Sequence, residues 1–363
     1  MISIKLDPAL VKKTITDIAC RVDEAIDREL DEHFSSAGTL LECEELFYLT
    51  ISLDVESFLE LAPTALENEF RELLAANPDY VVYASGSLDD VRHHILLADL
   101  PRFESSWAIH NKKQSKKGCG CDFCKVSSRA RKVFNWSAFS QKDKSAKFQD
   151  SMAGTLVKSI GLVVCPYCSR NYIAPITEPA DTIYRPDLDH FYAKSIYPYF
   201  ALCVHNLVPS CSACNCRIKG SKDFMFEGFL HPYEDEAPDQ LFVLDGLPLV
   251  KGERLDPALL TLRINDCISD KARKSAEFFR LPLAYEMHKR EVCNYVESLR
   301  LIPEKLIEER ARVLRTDPGY LKLIMNRSDD PHDKTYKERA LGKLFRDMYR
   351  FCTTKFSVDD QGI

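Results

Sequence analysis

Apolar residues Val11, Ile15, Ile18, Val22, Ile26 and Leu30 recur at steps of three and four, with charged residues between them. That spacing predicts an amphipathic helix over residues 8–34. Further helical stretches are predicted near 64–76 and 87–99, with Pro101 as a breaker. Residues 108–135 show no such period and read as an irregular basic segment, and 143–160 reads as helix again. From 162 to 232 the pattern shortens into strand-length runs; "RNYIAPI" (170–176) is one of them. "LFVLDGLPLV" (241–250) alternates with the period of two expected of a strand. Residues 269–355 return to the helical period, clearest in "AYEMHKREVCNYVESLRLIPEKLIEERARVL", where Pro303 should kink or divide the helix. The final "SVDDQGI" reads as loose. There is no internal repeat. The expected fold class is α+β: an acidic helical domain over 1–105, a basic Cys-containing linker plus helix over 106–160, a small central module over 161–235, and a mainly helical region over 236–363.

No apolar run reaches the 18 residues of a membrane span, and the first residues lack the features of a signal peptide. A cytoplasmic protein with no membrane partner is the expectation. The net charge of −6 argues against a chain that is basic throughout. The charge is nevertheless uneven: residues 111–132, "NKKQSKKGCGCDFCKVSSRARK", hold eight Lys or Arg against one Asp. A basic block on an acidic chain is a candidate nucleic-acid contact, and Lys116, Lys117, Arg129 and Arg131 are its candidate residues.

The 14 cysteines change the picture more. In a reducing compartment they do not form a disulfide framework. Cys20, Cys43, Cys267, Cys293 and Cys352 are scattered and read as small buried hydrophobes. The others crowd between 119 and 216. Cys165-Pro-Tyr-Cys168 and Cys211-Ser-Ala-Cys214 are two C-x-x-C pairs, each offering two thiolates from one turn. Two such turns make the tetrahedral sulfur site that zinc favours. With four thiolates the ion has no open position, so its role is structural. A redox C-x-x-C works alone and opens a helix; here a second pair exists. Cys203 and Cys216 are spare thiols nearby. Cys119, Cys121 and Cys124 supply three further thiols in C-x-C-x-x-C spacing, for which either His110 or a distant cysteine would complete a second zinc site. An exposed basic loop with incidental thiols is the other reading.

Inside the double pair lie Asp189-His190, then His205-Asn206, then Asn215 directly after Cys214. Singly, each is a packed, surface or turn residue. Together with the cysteine pairs, the run "LDHFYAKSIYP…HNLVPSCSACNCRIKG" resembles the HNH endonucleases, also called ββα-metal nucleases, in the subclass whose two C-x-x-C pairs bind a structural zinc. The resemblance spans 162–223. "CPYC", "DHF", "NLVPSC" and a later "HPY" are similar to bacterial anti-phage defence nucleases of the Septu type, which implies a partner ATPase. Two positions depart from the pattern: Ala193 stands where many relatives have proline, and Asn215 where others have histidine.

The resemblance implies a zinc-clamped ββα-metal module and hydrolysis of nucleic-acid phosphodiesters, DNA more than RNA. His190 is then the general base, since an imidazole titrates near ~6.5. Asp189 and Asn215 supply oxygens to a catalytic Mg²⁺ or Mn²⁺, which acts as a Lewis acid. Asn206 ties the loop and helps hold His190. Lys219 and Lys222 are candidates for the phosphate backbone. Trp107 and Trp136 flank the basic block, to stack on bases or to pack in the core. His231 either approaches the site or serves a turn with Pro232. The rival function is a non-catalytic zinc-dependent nucleic-acid-binding or sensor module within a larger complex.

Overall fold

The computed structural model describes the chain except residues 36–39, 114–118, 142–150, 179–180, 247–254, 302–303, 319–320, 322–333 and 360–363. The predicted first helix runs over Pro8–Ser35, and Val11, Ile15, Ile18, Val22, Ile26 and Leu30 are all buried. Their stripe packs on the helices Val55–Glu60, Asp122–Val133 and Met152–Ile160. The fold is α+β: mainly helical, with antiparallel two-stranded sheets.

The chain divides into two compact units. One comprises Ile4–Gly161 and Ala174–Glu227; the other comprises Met1–Ser3, Leu162–Ile173 and Gly228–Ile363. The units cut across the segments drawn from composition, because helices and loops far apart in sequence share cores.

In the first unit the core is aromatic. Phe47, from the helix Glu42–Ile51, stacks on Tyr80, from the helix Pro78–Ser85, with centroids 4.0 Å apart. Tyr199 and Phe200 join this cluster against Phe47 and Phe58. Such ring pairs contribute about 0.5–1.5 kcal/mol each beyond their burial, so the loop that carries Tyr199 and Phe200 is anchored at its middle. Helix Pro78–Ser85 also packs on Asp122–Val133 and ends at Gly86, whose φ of 73° is left-handed. A Cβ there would meet Ser127 Oγ at 2.8 Å, so glycine serves both the cap and the close approach.

Several local expectations are corrected. Pro101 does not break a helix. It lies in the first turn of one, Leu100–Lys113, where its missing N–H has no helical partner to lose. The helix expected over 87–99 is only Leu88–Val91 with a tight turn Arg92–His94. The basic segment 108–135 is largely helical, as the end of Leu100–Lys113 and as Asp122–Val133. Helix Asp122–Val133 carries an apolar stripe, Phe123, Val126, Ala130 and Val133, that the local charge obscured, while Lys125 and Lys132 are exposed. In "RNYIAPI", Tyr172 makes an isolated bridge to Val164, and the first full strand of the region is Ile176–Glu178. Cys20 and Cys267 are exposed rather than buried, while Cys293 and Cys352 are buried and Cys43 is intermediate.

In the second unit, strands Phe242–Asp245 and Thr261–Ile264 pair antiparallel, and the helix Gly342–Asp359 packs on the first of them. Asp347 of that helix accepts hydrogen bonds from the Leu241 and Phe242 amides at 2.7 and 3.0 Å, and pairs with Lys343. This helix continues through Asp359, so part of the expected loose tail is ordered helix. The helical stretch around Pro303 is two helices, Lys289–Leu301 and Glu304–Leu314; Pro303 itself lies outside the described residues.

Candidate functional site

Strand Asp187–His190 pairs antiparallel with strand Leu207–Ser210, His190 opposite Leu207 and Asp189 opposite Val208. A helical turn, Ala213–Lys219, follows the second strand. It is wide: the Gly220 amide reaches back five residues to the Asn215 carbonyl at 2.7 Å. Turns of this width concentrate at functional sites. The local order is therefore strand, loop, strand, helix, with Asp189 and His190 at the end of the first strand and Asn215 on the helix.

The loop between the strands is held by Asn206, whose exposure is 0%. Its Oδ1 accepts from the Tyr192 amide at 2.7 Å, and its Nδ2 donates to the Tyr192 and Phe200 carbonyls at 3.1 and 2.9 Å. Next to Phe200, the Ala201 carbonyl accepts a hydrogen bond from His190 Nε2 at 3.0 Å. A carbonyl only accepts, so Nε2 carries the proton and Nδ1 the lone pair. His190 is 7% exposed, and burial, with Lys194 second, holds its pKa well below the ordinary imidazole value. It is neutral at pH 7, with Nδ1 able to take a proton. Trp136 stands edge-on to the imidazole at 4.4 Å. Its role is a packing wall for His190, and Lys194 Nζ lies 4.9 Å from its ring. Trp136 and Ala201, both touching His190, line a pocket of about 240 Å³ together with Arg131, Lys194 and Ser195.

Lys219 is the main departure from expectation. It is 3% exposed, and its ammonium lies 3.0 Å from Asp189 Oδ1 and donates to the His190 carbonyl at 2.6 Å. It is thus a buried counter-charge of the site and does not face a phosphate backbone. Arg129 is likewise taken: it forms a two-pronged pair with the fully buried Glu44, Nε to Oε1 at 2.6 Å and Nη2 to Oε2. Arg131 spans the Ser85, Ser127 and Ser195 carbonyls and lines the same pocket as Lys194. Lys222 is exposed. Lys116 and Lys117 lie outside the described residues. Lys194, not assigned a role from the sequence, joins the site because it sits a few residues after His190 in the anchored loop.

Cys165 and Cys168, in one unit, and Cys211 and Cys214, in the other, are all buried, and each pair offers two thiols. Each pair is set by its own turn: the Ser169 amide bonds the Cys165 carbonyl at 2.8 Å with Ser169 at φ 57°, and the Asn215 amide bonds the Cys211 carbonyl at 3.0 Å. Thiols paired in this way are the donors that zinc takes, at Zn–S near 2.3 Å. Cys203 donates to the Phe58 carbonyl and Cys216 contacts Asp187, so neither joins these pairs.

A second group joins Cys119, Cys121 and Cys124 to His110. His110 comes from the last turn of Leu100–Lys113; Cys121 caps the helix Asp122–Val133 and Cys124 lies in its first turn. His110 Nδ1 stands 3.0, 3.5 and 4.0 Å from the sulfurs of Cys121, Cys124 and Cys119. Zinc with mixed N and S ligands needs edges of about 3.6–3.8 Å, so this set too can bind zinc, with His110 as the fourth donor. Trp107 stacks on His110 at 4.8 Å and 10°, which places it as a support of that ligand. His231 holds a turn: its Nδ1 accepts from the Tyr233 amide, and its own amide bonds Asp235. His205 bonds the Glu60 carbonyl. Compared with known protein families, curated proteins and solved structures, the chain matches none.

Proposed function

We propose that this chain is a metal-dependent endonuclease that hydrolyses nucleic-acid phosphodiester bonds, with His190 as general base. The observation that carries the reading is the His190 tautomer. Its Nε2–H is spent on the Ala201 carbonyl, so a neutral imidazole presents Nδ1 for proton removal. It lies beside Asp189 at a strand end, in the strand–loop–strand–helix order. Asn206 keeps the loop that supplies Ala201 in place. Lys194 and Arg131 give the adjoining pocket the positive charge that a phosphate requires.

Oxygen donors are the type a hard divalent cation takes: the Asp189 carboxylate and the Asn215 amide would hold it, and it would supply Lewis-acid stabilisation of the phosphate. Lys219 already offsets the Asp189 charge. Such an ion would bind weakly to the protein alone and would gain affinity when substrate phosphate adds negative charge, the usual arrangement for Mg²⁺. The test is cleavage of supercoiled plasmid, single-stranded DNA and RNA with and without Mg²⁺. Cleavage that needs Mg²⁺ and is lost in His190→Ala, with zinc content and fold retained, is the expected result. Full cleavage by His190→Ala removes the reading. Nucleic-acid binding with no cleavage in the wild type replaces it with the binding-module alternative.

A further inference from the structure

We infer that the chain carries a further divalent transition-metal site, formed by His93, His94 and Asp223. It is separate from both cysteine groups and goes beyond the nuclease reading. His93 and His94 sit in the tight turn Arg92–His94, and Asp223 lies just after the wide helical turn Ala213–Lys219. One nitrogen of each imidazole and one carboxylate oxygen lie within 4.8 Å of one another.

The distances between the donors suit a ligand set. Nε2 of His94 and Nε2 of His93 stand 3.6 and 3.9 Å from Asp223 Oδ2. Both exceed the 2.7–3.2 Å of an N–H···O bond. They match the separation of two ligand atoms about 2.0–2.2 Å from a shared ion, which is about 3.3–4.0 Å at open coordination angles. The two imidazole rings also stand close together, with centroids 3.8 Å apart.

The surroundings hold the donors as ligand supports do. Tyr197 donates its hydroxyl to the same Oδ2 at 2.7 Å and its oxygen stands 3.3 Å from His94 Nε2, and the Met225 amide bonds Oδ1 at 2.9 Å, so the carboxylate cannot rotate freely and a bound ion would take the place of the Nε2 proton. The edges of Phe70 and Phe226 fix the His94 ring, at 5.2 and 5.6 Å. Partners of this kind orient metal-binding carboxylates and imidazoles. The side chain of His93 is 58% exposed while those of His94 and Asp223 are 8% and 14% exposed, so solvent reaches the ion from one side. Two imidazoles, one carboxylate and open positions suit Zn²⁺ and its divalent first-row neighbours.

The test uses the full chain, stripped of metal and reloaded with Zn²⁺ at known free concentration. Wild type is compared with His93→Ala, a change at an exposed ring, and with Asp223→Asn, which keeps the shape of the side chain. Each variant is expected to bind one equivalent fewer than wild type. Cobalt reloading serves as the control: the thiolate-to-metal absorption, which reports only the cysteine groups, should be equal in all three proteins. Retention of the full stoichiometry in either variant overturns the site. The outcome is independent of cleavage, because His190 and its partners are untouched.

Discussion

Replacing Asn206 by alanine removes three hydrogen bonds at a point with no access to water. The bonds lost run to the Tyr192 amide and to the Tyr192 and Phe200 carbonyls, at 2.7, 3.1 and 2.9 Å, and the Phe200 carbonyl keeps the Cys203 amide at 3.3 Å. An intramolecular hydrogen bond contributes about 1 kcal/mol net. Three of them set the cost at about 3 kcal/mol. The aromatic anchors Tyr199 and Phe200 remain, so the loss should appear as local opening of residues 191–206 rather than as unfolding of the whole unit. At 1.4 kcal/mol per factor of ten, opening should rise by about a hundredfold. Amide hydrogen exchange at Tyr192 reads this directly, because that amide donates to Asn206 Oδ1 at 2.7 Å. Asn206→Asp sharpens the test. It keeps an acceptor for the Tyr192 amide but sets a carboxylate against two carbonyls, so it should open the loop at least as much. Unchanged exchange at Tyr192 in the alanine variant, or wild-type behaviour of the aspartate variant at neutral pH, refutes the role assigned to Asn206.

Further predictions concern charge. His190 is held neutral in the fold, its pKa well below the free value near ~6.5. Its contribution to stability is therefore complete above about pH 6.5 and is lost as pH falls toward the folded pKa, because only the unfolded chain takes the proton. Thermal melts from about pH 7.5 down to about pH 5.5 should show an acid loss of up to ~1.4 kcal/mol per pH unit that His190→Gln lacks; equal slopes in the two proteins would contradict it. Lys219→Met leaves Asp189, 2% exposed, without its buried counter-charge and should cost about 3–5 kcal/mol. Adding Asp189→Asn should restore most of that loss in a double-mutant cycle, and additive single effects would show the pair is not coupled.

What the sequence made legible is what depends on local period and local chemistry. The helix Pro8–Ser35 is a solvent-to-core alternation repeated over eight turns, and nothing distant is needed to read it. The C-x-x-C spacing is equally local, since each pair is closed by one turn's own amide bonds. Charge was misread for the opposite reason. Lys219 and Arg129 look alike in sequence as exposed phosphate ligands, yet Lys219 answers Asp189, 30 positions away, and Arg129 answers Glu44, 85 positions away. A lysine on a surface and a lysine neutralising a buried carboxylate differ only in the partner, and no window of residues contains the partner. The same holds for His110, which lies nine residues before Cys119 and becomes the fourth donor because two helices turn back on each other. It holds most strongly for His93, His94 and Asp223, where two residues from the helical half of the unit meet one from beyond the second cysteine pair. Basic composition is thus a weak guide to nucleic-acid contact in this chain. The charges with the best claim to that role are Lys194 and Arg131, which line the pocket beside His190, and only one of them lies in the basic block that first drew attention to binding.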